Sequence, residues 1–420
     1  MKKQNQPTTL KGFRDLLPAQ AAVRKIVRET LVDVFESFGY EPLETPTLEQ
    51  QSLLLGKYGD EADKLVYKFL DNGKRKVGLR YDLTVPLARV VSQYKNELPL
   101  PFKRYQIQNV FRADKPSKGR YREFTQCDID IVGNTSPLAD AEIVALIEKS
   151  LKRLEFSEFT IRINSRQVLF NVMEKAGVPK DKTFSMIQSI DKLDKKTQEE
   201  VEVELAEKGI STTTITEIFT SLKSVKPDEY LEKVIASFDS LGVQKSSWKF
   251  DPTLARGLDY YTGPIFETVV TKPKIGSITG GGRYDKLMSS LGSADLPAVG
   301  TTIGLDRVTD VILDQNLWSE SAKSATQAFV SIFDPSLEGY SLEIASNLRD
   351  EGINVETYLN SKEKISNQLK YADQKNIPFV VIAGPDEMKS QRVTIKNLQS
   401  GEQVTVPLED AVQMIKGVKI

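Results

Sequence analysis

The chain contains no histidine among its 420 residues. This absence removes the commonest general base, every Ser–His or Cys–His nucleophile pair and the commonest metal ligand. Any chemistry must therefore depend on arginines, carboxylates, tyrosines and backbone groups. Such groups suit reactions driven by positioning and charge stabilisation, phosphoryl or nucleotidyl transfer above all. Chance could also produce a chain without histidine.

Cysteine is almost absent as well. The only one, Cys127, excludes an intrachain disulfide and argues against a thiolate metal cluster, as in a reducing cytosol. The amino-terminal residues MKKQNQPTT have no apolar core of signal-peptide length, and no hydrophobic run is long enough to cross a bilayer. We therefore expect a cytoplasmic protein that does not enter a membrane.

Length and composition are ordinary for a globular protein of two or three domains. Hydrophobic residues make up 40% of the chain and charged residues 27%, which allows sizeable cores. The formal net charge is only -1, yet the segment from Lys103 to Arg122 holds seven basic residues and one acid. This local concentration of positive charge predicts a site for a polyanion.

The basic segment also has the pattern of a β-hairpin. Residues 102–111 and 121–132 have strand character, and residues 113–119 form a loop with proline and glycine. Side chains alternate across a strand, so Gln126 and Asp130 project from the same face of the second strand. Guanidinium groups at the mouth of such a hairpin suit bidentate contacts with phosphate. The alternative is a solvated hairpin, and the inward Gln126 and Asp130 favour a site.

The rest of the chain shows other patterns. A helical stripe of apolar residues follows Pro18, and two strand-like runs flank a DNG turn at residues 71–73. From about residue 165 to 243 the sequence is charged and helical, as in an inserted helical domain. After a polar linker at residues 318–327, strands alternate with helices, which predicts a small α/β domain with parallel strands.

Several motifs resemble those of the histidyl-tRNA synthetases, a family of class II aminoacyl-tRNA synthetases. KGFRDLLP and FGYEPLETP look like the start of the family and its dimer-forming first motif. LRYDLTVP is similar to the amino-acid loop, FRAD with GRYREFTQCDIDIVG to the second motif, and GLDRV to the third. LARGLDYYTG followed by GGGRYDKL resembles two histidine-specific motifs that distinguish the family from other class II enzymes. The resemblance covers essentially the whole chain.

The resemblance implies a fold and a domain organisation. We expect an α+β catalytic domain built on an antiparallel sheet flanked by helices over residues 1–325, with a helical insertion at about 165–243. Residues 326–420 would form a C-terminal α/β domain that binds the anticodon.

The resemblance also implies an activity. The protein would be a ligase that activates L-histidine with ATP to histidyl-adenylate and transfers the histidyl group to the 3′ end of tRNA(His). Mg²⁺ would accompany ATP, and no metal ligands are expected among the site residues. The implied partners are ATP, L-histidine, tRNA(His) and a second copy of the chain in a homodimer.

Site residues follow from the same resemblance. Those expected to contact histidine are Asp82, Leu83, Thr84, Arg112, Gln126, Asp130, Arg256, Tyr260, Tyr261 and Tyr284. Those expected to contact ATP are Arg112, Arg120, Arg122 and Arg307. Asp130 and Tyr261 would hold the imidazole, and the ammonium would lie near Asp82, Thr84 and Gln126.

Catalysis is expected to depend on Arg112 and Arg256. The carboxylate of histidine is already a nucleophile at neutral pH, so its attack on the α-phosphorus of ATP needs no protein base. The attack needs charge neutralisation in the transition state, which the resemblance assigns to these two arginines.

Several of these residues have structural alternatives. The three tyrosines could be core aromatics, Asp82 could cap the helix that follows LRYD, and Arg307 could be a surface helix residue. Asp114 and Asp306 stand where glutamate is common in the class, so their contacts could shift by about the length of a methylene.

Two other functions compete with the ligase. A catalytically inactive paralogue, such as the regulatory subunit of ATP phosphoribosyltransferase, would keep the fold and bind histidine as a sensor. Such paralogues lack an intact RGLDYYTG and the C-terminal domain, and this chain has both. A nucleic-acid-binding module without enzyme activity would leave the histidine-type pocket unexplained.

Overall fold

The computed structural model describes residues 7–55, 60–117, 119–256, 261–289, 296–318 and 324–417. The chain divides into two compact units, the larger comprising Met1–Asp15 and Val27–Gln315 and the smaller Leu16–Ile26 and Asn316–Ile420. Among the described residues, no helix combines the length and the apolar character that a membrane span requires.

The larger unit contains an extended, mainly antiparallel sheet. The strands of this unit are β1 Glu41–Pro42, β2 Leu48–Gln50, β3 Lys68–Leu70, β4 Lys76–Leu79, β5 Phe102–Phe111, β6 Glu123–Val132, β7 Phe159–Ser165, β8 Trp248–Phe250, β9 Pro264–Val270, β10 Thr279–Arg283 and β11 Ala298–Gly304. Within the described residues, eight of them form one sheet in the order β1-β5-β6-β11-β10-β9-β7-β8. Its pairs are antiparallel except β1–β5 and β7–β8. This sheet confirms the fold class expected for the larger part of the chain.

Helices accompany this sheet along the chain. They are α1 Pro18–Ser37, α2 Gln51–Leu54, α3 Asp60–Leu65, α4 Thr84–Gln93, α5 Pro137–Arg153, α6 Arg166–Lys175, α7 Lys180–Ile190, α8 Gln198–Glu207, α9 Thr212–Ser224, α10 Glu229–Ala236 and α11 Leu305–Gln315. Ser136 caps α5 by accepting a hydrogen bond from the Leu138 N–H, and Pro137 occupies its first turn, where the lost N–H has no helical partner. The helix α11 begins directly after β11, so its first turn lies at the end of a central strand.

The segment from α6 to α10 is helical, as the charged, non-alternating sequence predicts. Its apolar side chains, including Leu169, Ile187, Val201 and Ile218, form a core cluster of their own. A capping box between Thr197 and Glu200 starts α8. The helical insertion is therefore confirmed, while its boundaries at about 165 and 243 stay a prediction.

The smaller unit contains a five-stranded sheet among its described residues. Its strands are β12 Ala328–Val330, β13 Val355–Thr357, β14 Phe379–Ile382, β15 Arg392–Asn397 and β16 Gln403–Pro407, and its helices after Gln315 are α12 Glu338–Asp350, α13 Ile365–Gln374, α14 Pro385–Ser390 and α15 Leu408–Lys416. The sheet order is β13-β12-β14-β15-β16, with β12 parallel to both of its neighbours and the remaining pairs antiparallel. The expected C-terminal α/β fold with parallel strands is confirmed.

Candidate active site

Two adjoining cavities lie against strands β6, β10 and β11 of the larger unit. One has a volume of about 360 Å³, and four aspartates contribute to its lining: Asp82, Asp128, Asp130 and Asp191. We call it the carboxylate cavity. The other has a volume of about 230 Å³, and four arginines contribute to its lining: Arg112, Arg120, Arg256 and Arg307. We call it the arginine cavity. Lining residues common to both are Arg112, Gln126, Arg256, Gly280 and Thr302.

Strand alternation on β6 places the polar side chains of the carboxylate cavity. Gln126, Asp128 and Asp130 follow one another at alternate positions and all line the cavity. The intervening Cys127 and Ile129 are fully buried. The predicted orientation of Gln126 and Asp130 is confirmed, and the same periodicity adds Asp128 to their face.

Asp130 is held by a buried arginine and a buried phenol. Asp130 pairs with Arg104 across the β5–β6 hairpin, and the Arg104 Nη2 lies 2.7 Å from the Asp130 Oδ2. The Tyr284 hydroxyl donates a short hydrogen bond to the Asp130 Oδ1. Burial raises the pKa of Asp130, and Arg104 and the Tyr284 hydroxyl oppose that shift. The carboxyl group is thereby fixed in orientation beside the cavity.

A glycine on the neighbouring strand makes room for this carboxyl group. Gly300 of β11 pairs with Asp130 of β6 in the antiparallel register. A Cβ added at Gly300 would lie 1.9 Å from the Asp130 Oδ1 and 2.6 Å from the Ile129 carbonyl oxygen. Only glycine therefore fits opposite Asp130.

We expect Gly300→Ala to destabilise the larger unit by roughly 1–3 kcal/mol, because the added methyl group overlaps both a side chain and a backbone carbonyl. Urea unfolding would measure the change. The matched control is Gly304→Ala in the same strand, where the added Cβ would meet its nearest atom, the Ile278 carbonyl oxygen, at 3.5 Å. Equal stability of the two variants would contradict the close approach at Gly300.

Asp82 combines the two roles that the sequence left open. Its Oδ1 accepts a hydrogen bond of 3.1 Å from the Val85 N–H in the first turn of α4, which is a capping contact. The same side chain lines the carboxylate cavity next to Thr84. Leu83 is fully buried and is not among the lining residues of either cavity, although its carbonyl oxygen accepts a hydrogen bond of 3.4 Å from Arg104.

The arginine cavity collects positive charge from three separate parts of the chain. The Arg112 Nε donates to the Tyr81 carbonyl oxygen, and the Arg256 Nε lies 2.9 Å from the Glu267 Oε1. Arg307, in the first turn of α11, donates to the carbonyl oxygens of Gly119 and Ser277. These hydrogen bonds to backbone carbonyl oxygens hold Arg112 and Arg307 in place. Because the acceptors are neutral, the bonds do not neutralise the positive charges.

Burial and repulsion among these guanidinium groups both lower the pKa of Arg307. Burial lowers its pKa, and the nearby Arg256, Arg120 and Arg112 lower it further. Arginine nevertheless stays protonated near neutral pH. A cavity that holds several such cations is prepared for a polyanion, since phosphate groups would relieve the repulsion.

Asp306 closes one side of the arginine cavity. Its Oδ1 lies 2.5 Å from the Arg14 Nη2, and its Oδ2 accepts a hydrogen bond of 2.8 Å from the Thr125 N–H. The Arg14 guanidinium also stacks 3.7 Å from the centre of the Tyr121 ring. The amino-terminal KGFRDLLP motif therefore supports this cavity from outside through Arg14.

Most of the sequence-predicted site residues meet at the two cavities. Tyr261 and Tyr284 line the carboxylate cavity, and Arg120 lines the arginine cavity. Arg122 is not among the lining residues of either, since its guanidinium donates to the carbonyl oxygens of Asp114 and Lys11. Tyr260 lies outside the described residues. The ligand contacts assigned to all of these residues stay predictions.

Some lining residues were not predicted from the sequence. Asp128 was detectable, because its position alternates with Gln126 and Asp130. Asp191 was not, since it follows α7 in the helical insertion and enters the cavity only through the tertiary fold. Arg104 is one of the seven basic residues between Lys103 and Arg122, and its sequence position did not distinguish it from the others. Its pairing with Asp130 depends on the register of the two strands.

Two family models together match most of the chain. Residues 12–308 match the family model described as histidyl-tRNA synthetase, and residues 327–417 match the one described as anticodon binding domain. A relative from Clostridium tetani named histidine–tRNA ligase is 40% identical over 436 aligned positions, which cover 98% of each chain. One of the same name from Gloeobacter violaceus is 39% identical over 459 positions, covering 97% of this chain and 98% of the relative.

Solved structures show similar folds. The crystal structure of histidyl-tRNA synthetase from Nostoc matches with a TM-score of 0.86 and 31% identity, covering 98% of this chain and 99% of that one. A structure from Bacillus halodurans described as an ATP phosphoribosyltransferase regulatory subunit/histidyl-tRNA synthetase matches with a TM-score of 0.74 and 22% identity over 91% of this chain. At that identity the second match shows a shared fold alone.

Proposed function

Since the chain belongs to the histidyl-tRNA synthetase family, we propose that the carboxylate cavity binds L-histidine and the arginine cavity binds ATP. The chain is a ligase that activates L-histidine with ATP to histidyl-adenylate and transfers the histidyl group to the 3′ end of tRNA(His). The observation that carries the assignment of the two cavities is their shared boundary, which contains both Arg112 and Arg256.

Adenylate formation takes place where the cavities adjoin. A carboxylate oxygen of histidine forms a bond to the α-phosphorus, the bond from that phosphorus to the α,β-bridging oxygen breaks, and pyrophosphate leaves with the electron pair. Arg112 contacts both the substrate carboxylate and the α-phosphate. Arg256, from the histidine-specific motif LARGLDYYTG, contacts the same phosphate. The two cations bring two anions together and stabilise the charge that develops on the phosphoryl oxygens.

The outer part of ATP extends into the arginine cavity. Arg120 contacts the outer phosphates or the adenine side, and Arg307 holds the far end of the triphosphate. Arg122 belongs to this group by its motif, and its contact with ATP would require release of the carbonyl groups that it binds. Mg²⁺ enters as the complex with ATP.

The imidazole end of histidine lies at Asp130 and Tyr261. The Tyr284 hydroxyl and Arg104 orient the Asp130 carboxyl group, so that it can pair with a ring nitrogen. The ammonium lies near Asp82, Thr84 and Gln126, with Leu83 and Tyr260 completing the pocket. Amino acids that cannot pair with these buried groups would be rejected by roughly 10⁴–10⁵-fold, as in comparable hydrogen-bonding sites.

We assign residues 1–325 to the catalytic domain, with the helical insertion at about 165–243 available to the acceptor stem of tRNA. Residues 326–420 bind the anticodon. The family relationship also supports a homodimer in the cytoplasm, which sedimentation equilibrium of the full chain would test by its mass. A monomer over the whole concentration range would contradict the dimer and leave the ligase assignment intact.

Amino-acid-dependent exchange of pyrophosphate into ATP tests the proposal for the two cavities. We expect exchange with histidine and none with the other amino acids, because pyrophosphate returns to ATP only by attacking an adenylate, and the pocket forms an adenylate only from the amino acid that it binds. Histidine binding without exchange would indicate a sensor. Exchange with another amino acid would contradict the assignment of Asp130 and Tyr261 to the imidazole.

A further inference from the structure

Asp128 lies in the second motif between Gln126 and Asp130 without an assigned ligand contact, and it lines the carboxylate cavity at only 4% exposure. We propose that Asp128 binds the α-ammonium group of the amino acid, as a further residue that determines which ligands enter the cavity. The inference rests on the proposed function, in that it assigns histidine to the carboxylate cavity.

The position of Asp128 along β6 places it between the two ends of the substrate. Gln126 lines both cavities and so marks the reacting end, whereas Asp130, bonded to Tyr284, marks the ring end. Alternate residues of a strand are about 6.5–7 Å apart, which is comparable to the length of histidine from its α-nitrogen to its ring. With the ring at Asp130, one such step along the strand brings Asp128 within reach of the α-ammonium group.

The ion pair that Asp128 forms with Arg104 is longer than the one that Arg104 forms with Asp130. The Arg104 Nη2 is 2.7 Å from the Asp130 Oδ2 but 4.0 Å from the Asp128 Oδ2, so its charge is committed mainly to Asp130. The remaining contacts of Asp128 are neutral: the Gln126 Nε2 donates to its Oδ1 at 3.3 Å, and the Thr302 hydroxyl hydrogen-bonds to it. A buried carboxylate with neutral donors calls for a cationic partner.

A second polar atom independently points to the same ligand group. Gln126 is 6% exposed, and its Oε1 has no hydrogen-bond partner among the described residues. Its Nε2 is used by Asp128 and by the Thr302 Oγ1, which directs the amide so that the free oxygen is an acceptor in the cavity wall. The third acceptor is the Asp82 carboxylate, which also faces the cavity.

Three acceptors match a group with three N–H donors and a positive charge. An ammonium has this composition, whereas a neutral imidazole has one N–H and an acceptor nitrogen. Burial raises the pKa of Asp128 to about 7, with Arg104 opposing and Asp130 and Asp82 reinforcing the shift. A bound ammonium would favour the ionised carboxylate, as an opposite charge does.

The test compares three ligands that share the ring, by calorimetric titration of the full chain without ATP. L-Histidine has both the ammonium and the carboxylate, histidinol lacks the carboxylate, and 3-(imidazol-4-yl)propionate lacks the ammonium. In Asp128→Asn we expect histidine and histidinol to bind roughly 10–100-fold more weakly, the range for a lost charge-assisted hydrogen bond. The propionate should bind as it does to the wild-type chain.

The matched control is Tyr261→Phe at the ring end of the same cavity, which should weaken all three ligands alike. Equal losses for the three ligands in Asp128→Asn, a loss confined to the propionate, or no loss at all would each overturn the inference. Thermal unfolding would verify that the variant is folded. If it is not, Asp128→Glu moves the same charge by one methylene and should weaken the two amines selectively.

The wild-type titration separates this inference from its premise. Failure of the wild-type chain to bind histidine and histidinol would overturn the proposed function and the inference together. Tight binding of both amines with an unselective effect of Asp128→Asn would overturn the inference alone.

Discussion

Replacing Arg256 with alanine is expected to slow histidyl-adenylate formation by at least about 10²–10³-fold, the range for one lost charge-stabilising donor. Arg256 lines both cavities and is one of two arginines at their boundary. Its removal leaves the developing charge on the α-phosphate with one cation fewer at the point of reaction. Because the added charge exists mainly in the transition state, the loss should fall on kcat as well as on kcat/KM.

The Arg256→Ala variant should remain folded. The Arg256 side chain is 38% exposed, so its truncation leaves no cavity in the core. Its partner Glu267 keeps a second cation, since the Arg162 Nη1 lies 3.3 Å from the Glu267 Oε2. Single-turnover adenylate formation and thermal unfolding together measure the two halves of this prediction.

Arg75→Ala is the matched control for the loss of an arginine. The Arg75 side chain is 81% exposed and pairs with Asp71 in the β3–β4 hairpin, which has no part in either cavity. The control should form adenylate at the wild-type rate. A rate for Arg256→Ala equal to that of Arg75→Ala would remove Arg256 from the catalytic machinery.

Replacing Arg104 with methionine is expected to lower the free energy of unfolding by about 3–5 kcal/mol, the range for breaking a buried ion pair on one side. Arg104 has no exposed surface and forms ion pairs with both Asp128 and Asp130, at 4.0 Å and 2.7 Å. Methionine fills much of the same space, so the loss arises from two buried carboxyl groups without a counter-charge rather than from packing. Histidine affinity should fall with it, because Asp130 loses its orientation.

The pH dependence of this loss has a definite sign. Burial raises the pKa of Asp128 and Asp130 in the folded state, and Arg104 lowers both, so the pKa of each rises further in the variant. The folded state then binds protons that the unfolded state does not bind above a pH of about 4. The variant should therefore lose the most stability relative to the wild-type chain above about pH 7, with the difference shrinking as the pH falls below 7.

Urea unfolding at a series of pH values measures both the size and the sign. Arg153→Met, an exposed arginine at the end of α5, is the control and should cost little at any pH. The double variant Arg104→Met, Asp130→Asn should recover part of the stability, since one uncompensated charge is removed as well. A small, pH-independent loss in Arg104→Met would show that the buried pair carries little of the stability.

The β5–β6 hairpin, which contributes Gln126 and Asp130 to the site, was predictable from the sequence. Alternation along residues 121–132 placed Gln126 and Asp130 on one face, and the structure adds Asp128 between them for the same geometric reason. The capping role of Asp82 and its place in the cavity were both stated as alternatives, and the structure shows that they coexist. Local periodicity and local hydrogen bonding suffice for these features because they involve residues close in sequence.

Other parts of the site depended on contacts that sequence patterns do not record. The orientation of Asp130 requires Arg104 from the neighbouring strand, Tyr284 from after β10 and the space left by Gly300 on β11. Arg120 and Arg122 belong to the same motif, and both were expected to bind ATP. The Arg122 guanidinium, however, donates its hydrogen bonds to backbone carbonyl oxygens. Charge alone could not distinguish these two arginines, since the difference lies in which acceptors the fold brings to each.

By itself, the sequence determined which segments are strands and helices, which face of β6 is polar, and which family the motifs resemble, because these depend on short periods and adjacent residues. The tertiary structure decided that Arg112 and Arg256 border both cavities, that Arg104 is committed to Asp130 rather than Asp128, and that Asp191 of the insertion enters the carboxylate cavity. Each of these follows from strand register and from chain segments far apart in sequence. Electrostatic interactions weaken with distance and strengthen with burial, so their energies are set only once folding has fixed both.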